Sequence, residues 1–196
     1  MNLYFNTNKI GYSQNSKISN KKSVKKKDVS EVLTEENIEK MRQIAYNDAV
    51  KGKRSQEAII FRNQCREKVA PDRKMIFAKA EKGMSAEIDK LKTPENIWIY
   101  LLEPEGHFDG GSFKGNYTRT GNHTFIEAFD ESGESVGIYS SNYGWRTKQT
   151  SAEKQVMATL AGVYNETFNS VYKATHKSKS TSDVPVETKS TLDISV

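Results

Sequence analysis

Cysteine is nearly absent from this chain. Cys65 stands alone among 196 residues, so no intramolecular disulfide can form. That excludes the disulfide-stapled class of small folds and suits a reducing compartment, or a cysteine-poor exported protein. Proline is scarce as well, and Pro71, Pro94, Pro104 and Pro185 punctuate the chain without forming a polyproline segment. No apolar run approaches the ~20 residues that a membrane-spanning helix needs. Met1–Phe5 is too short for the apolar core of a signal peptide, and lysines follow it instead of preceding it. The expectation is a cytoplasmic protein, or one exported without a classical signal. Histidine is limited to His107, His123 and His176, which leaves little material for metal or acid–base chemistry.

Positive charge, by contrast, is concentrated. Residues 1–33 hold seven lysines against Asp28 and Glu31, a net +5, and the remaining 163 residues hold 23 basic and 23 acidic side chains. The calculated pI of about 9.1 therefore belongs to a leader and not to the body. Within it, Lys21, Lys22, Lys25, Lys26 and Lys27 make a salt-sensitive cluster without arginine or a nucleic-acid-binding motif. Nonspecific nucleic-acid association through these lysines is one functional reading; a solvating tail, or a segment that meets a partner, is another. Residues 1–33 are rich in Asn, Ser and Lys and offer too little apolar surface to offset ordering entropy, so a disordered basic leader is expected. Residues 176–196 read as a second tail. Residues 34–175 remain as a single α+β domain.

The front of that domain reads as helical, from residue 34 to about 92. Thr34 suits an N-cap, Glu35 and Glu36 suit the positive end of the dipole, and Ile38, Met41, Ala45 and Ala49 repeat at helical spacing. Ser55 is the expected cap of a second helix carrying Ala58, Phe61, Cys65 and Val69 on one face. A third spans about Asp72 to Leu91, where Gly83 predicts a weak middle and two shorter pieces. From residue 97 the pattern changes. Ile97–Leu102 reads as a buried strand and His107–Gly115 as a glycine-rich loop. Thr124–Phe129 and Val136–Tyr139 flank Asp130–Ser135, a hairpin with a glycine at its left-handed position. With Trp145–Lys148 these give a four-stranded antiparallel meander over 97–148. Thr150-Ser151-Ala152-Glu153 is a capping box, and Met157, Leu160, Tyr164, Phe168 and Val171 continue a long C-terminal helix expected to pack on the sheet.

Chemistry is sparse. Cys65 shares an apolar face and reads as a core residue. His107 and Asp109 alternate on one strand face, with His123 one loop away, which raises a small hydrolase or metal enzyme as an alternative. Tyr143 and Trp145 follow a turn and are the aromatic residues expected to meet a partner, together with the leader lysines. Residues 124–172, through Phe129-Asp130-Glu131-Ser132-Gly133, Gly144-Trp145, Thr150-Ser151-Ala152-Glu153 and Tyr164-Asn165-Glu166, resemble small uncharacterised bacterial proteins known only as domains of unknown function. The resemblance implies a bacterial origin and brings no catalytic residue with it. The sequence reading is thus a non-enzymatic binding module that needs no cofactor and whose partner is another protein.

Overall fold

The structure, a computed structural model, describes residues 28–94, 100–120 and 123–176. Helix α1 (Glu35–Val50) begins where its cap predicts, with the Asn37 amide donating to Thr34 Oγ1 at 3.3 Å. A 3-10 turn at Val29–Glu31 precedes it and brings Val32 to 4% exposure. Residues 28–33 therefore belong to the folded body and not to the leader. Helices α2 (Glu57–Val69) and α3 (Arg73–Leu91) follow, and α4 runs from Ser151 to His176. The capping box at the start of α4 is complete. The Glu153 amide donates to Thr150 Oγ1 at 3.3 Å, and the Thr150 amide donates to Glu153 Oε2 at 2.8 Å.

Two apolar clusters hold the molecule. In the first, α1, α2 and α4 bury Met41, Ile44, Phe61, Cys65, Leu160 and Phe168. In the second, α3 packs Ile76, Ala80, Met84 and Ile88 onto Phe113, Ile126 and Val136 of a sheet. Each large side chain so buried stabilises the fold by roughly 1.5–3 kcal/mol relative to exposure. The α+β class expected from the sequence is what forms. Helix α4 meets the sheet with its first turn, where the Ser151 amide donates to Glu134 Oε2 at 2.9 Å, while its apolar stripe packs on α1 and α2. The layer that covers the sheet is α3.

That sheet is antiparallel and six-stranded: β1 (Leu101–Leu102), β2 (Glu105–Phe108), β3 (Gly111–Thr118), β4 (His123–Asp130), β5 (Ser135–Ser140) and β6 (Gly144–Thr147). β1 and β2 both pair with β3, and β3, β4, β5 and β6 then follow in order. Two expectations are corrected here. The glycine-rich stretch 107–115 is not a loop but most of a hairpin, β2 and β3, turned by Asp109-Gly110 with Gly110 at φ +99. The strand expected to be buried over 97–102 is largely exposed where it is described, with Leu101–Leu102 forming β1 and Tyr100 and Leu101 67% and 48% exposed; residues 95–99 lie outside the described residues. Gly83 does not divide α3 either. A Cβ there would stand 2.5 Å from the Phe113 ring, so the glycine lets the helix settle onto the sheet.

Candidate functional site

Alternation along the strands sends every second side chain to each face. Leu102, Phe113, Tyr117, Ile126, Tyr139 and Trp145 turn toward α3. On the opposite face no described helix is packed, and the strand register arranges its side chains in rows. One end row is Leu101, Thr118 and His123, and the next is Asn116, Phe125 and Ser140. A charged row follows: Glu105, Lys114, Glu127, Ile138 and Arg146. His107, Ser112, Phe129 and Ser135 make the last.

The charged row is internally neutralised. Glu127 takes Lys148 Nζ at 2.8 Å, Ser135 Oγ at 2.7 Å and Lys114 Nζ at 3.4 Å, while Lys114 also stands 5.0 Å over the Phe129 ring. The Lys148 ammonium and the Ser135 hydroxyl hold the Glu127 carboxyl below the usual carboxylate range, against the opposing effect of burial. At the uncharged end lies a shallow depression of about 440 Å³, lined by Leu101, Asn116, Thr118, His123, Phe125 and Asn142 among others. Leu101 and Phe125 expose 48% and 39% of their surface there. Two other depressions are charged. One, at the start of α4, contains Glu134, Lys148 and Lys154, and one beside Pro94 contains Lys92 and Arg119.

The residues singled out by sequence are dispersed. His107 pairs with Ser112 and His123 with Thr118, six positions along β3, which separates the two imidazoles by about 20 Å. Asp109 sits in the β2–β3 turn beside Lys79, at 3.6 Å. No group of three metal-ligating side chains occurs among the described residues. Tyr143 is 73% exposed, with Arg146 over its ring at 5.0 Å. Trp145 turns the other way: it stacks on Phe77 at 3.9 Å and its indole N–H bonds Glu81. The pair is not one surface: Tyr143 lies in the β5–β6 turn against Arg146, while Trp145, on β6, packs on α3. Lys21, Lys22, Lys25, Lys26 and Lys27 lie outside the described residues. Cys65 is buried in the helical core, and burial pushes its thiol pKa up.

The sequence reading missed the open face, because its members come from all six strands and only register brings them together. Asp109-Gly110, a strong hairpin signal between alternating segments, was the available clue. Comparison with family models, with curated proteins and with solved structures found no match. No helix among the described residues is long and apolar enough to cross a membrane.

Proposed function

We propose that this protein is a non-enzymatic binding module whose binding surface is the open face of its sheet, and that the partner it meets there is another macromolecule, in the first instance a protein. One observation carries the reading: α3 covers one sheet face, while the other presents Leu101, Phe125, Phe129 and Ile138 among polar and charged side chains with no described helix over them. Soluble proteins seldom leave such a surface without a use. The separation of His107 from His123 and the burial of Cys65 weigh against the enzyme alternative.

The test is photocrosslinking in the source cell. A photoreactive residue at Ile138, in the middle of the open face, should give a discrete crosslinked species. The same residue at Lys82, exposed on α3, should not. Arg146→Glu should diminish the Ile138 product. Identical products at both positions, or none at Ile138, overturn the reading.

A further inference from the structure

We propose that the uncharged end of the open face is a binding site for a neutral saccharide. This rests on the reading of that face as the binding surface and assigns the chemistry of one part of it.

Charge comes first. The lining of the depression holds no Lys, Arg, Asp or Glu, and its single titratable group is His123. Phosphates, carboxylates and nucleic-acid backbones are recognised by cations, which cluster instead in the other two depressions. The ligand of this end is therefore uncharged. Hydrogen-bonding capacity comes second. Asn116, Thr118, Ser140 and Asn142 present amides and hydroxyls that both donate and accept, and none is engaged by another described side chain. A ligand matching that set is itself rich in groups that donate and accept together, as sugar hydroxyls do.

The third element is the Phe125 ring. Its neighbours across the strands are Asn116 on one side and Ser140 on the other. An exposed ring flanked by hydrogen-bonding groups matches the apolar C–H face and hydroxyl rim of a pyranose. Leu101 adds apolar surface in the end row, directly across from Thr118. At about 440 Å³ the depression lies within the range of small-molecule sites. A peptide fits less well. The backbone groups of β3 and β4 are already paired on both sides, so they offer no ladder for an added strand.

The test is a titration of the full-length protein, labelled with nitrogen-15 and followed by NMR. The probes are maltose, cellobiose, lactose and diacetylchitobiose, each at millimolar concentration. Glucose 6-phosphate and a blocked Gly-Asn-Gly peptide are the charged and peptidic comparators. At least one disaccharide should give saturable shifts at the amides of Phe125, Ser140 and Asn142. Phe125→Ala should weaken that binding about tenfold, and Lys82→Gln should leave it unchanged. Phe125 is exposed enough for its truncation to leave the fold intact, which circular dichroism checks. Absence of shifts with all four sugars overturns the inference. So does peptide binding without sugar binding, or tighter binding of glucose 6-phosphate than of every disaccharide. None of these three results touches the Ile138 crosslink, so the binding-module reading stands or falls separately.

Discussion

Asp48 is 3% exposed, and burying a carboxylate costs several kcal/mol unless donors meet it. Three do. Its Oδ2 accepts from the Ser55 amide at 2.8 Å, the Ser55 hydroxyl at 3.0 Å and the Tyr164 hydroxyl at 2.7 Å. Burial pushes the carboxyl pKa up, but these donors outweigh it and hold Asp48 below the usual range. Ser55, expected to cap α2, is used here instead, and the Gln56 that takes the cap position makes no side-chain cap. Burial, with the Asp48 carboxylate beside it, pushes Tyr164 up to about 12. Tyr164→Phe should lower stability by about 2 kcal/mol, read as a lower urea midpoint at unchanged slope. Because the folded pKa is the raised one, the tyrosine's contribution is complete below pH 10 and declines as the pH rises toward about 12. The gap between wild type and variant should narrow over that interval, and a gap independent of pH would contradict the assignment. None of this was visible in the sequence, since the donors lie 7 and 116 positions away.

At the scale of elements, α3 and the hairpin it covers were built around one ring. Phe113, 4% exposed, lies between Gly83 and Gly106, where an added Cβ would stand 2.5 and 2.8 Å from it. Alanine at position 83 gains about 1 kcal/mol of helix propensity but forces that ring to move, and overpacking typically costs about 1–3 kcal/mol. Gly83→Ala should therefore lower the melting temperature, and Phe113→Leu in the same chain should recover part of the loss; a higher melting temperature for Gly83→Ala sinks the explanation. The same glycines explain what was legible. Caps and 3.6-residue periodicity are local, so α1, α2 and α4 could be read from Thr34, Pro71 and the Thr150–Glu153 box. The β4–β5 hairpin could be read from Asp130 and Gly133, and Asp130 does organise it, accepting from the Ser132 amide at 2.9 Å and the Glu134 amide at 3.0 Å. Gly106, Gly111 and Gly115 instead remove the side chains by which β2 and β3 would be recognised, because their positions face rings, a methionine or a neighbouring backbone. The saccharide site inherits that blindness: Asn116, Phe125 and Ser140 become neighbours only once β3 is a strand.

For the molecule as a whole, the question is what makes two apolar clusters one cooperative unit. Arg73, at the first position of α3, supplies much of the answer. Its Nε donates to the Val136 carbonyl at 3.3 Å in the sheet, and its Nη2 bonds the Lys148 carbonyl and the Glu153 carboxylate at the start of α4. Glu153 is 2% exposed and the Arg73 side chain 17%, so the pair is largely buried, and removing one partner of a buried pair typically costs about 3–5 kcal/mol. Arg73→Met should cost that much and should also loosen the coupling. Hydrogen exchange of α1 and β4 amides, expected to report one global opening in the wild type, should separate into two in the variant; a single shared opening would show that the clusters are joined by other means. The pH dependence distinguishes charge from packing. Burial alone pushes Glu153 up, but Arg73 and the Thr150 amide outweigh it and leave the carboxyl below its usual range. Its contribution is thus complete above the ordinary glutamate pKa of about 4.3 and is lost as pH falls through the lower folded value. Glu153→Gln keeps the shape and removes the charge. Its deficit against wild type should be largest at neutral pH and shrink steadily below about pH 4, whereas a deficit that persists in acid would assign the junction to packing and not to the ion pair.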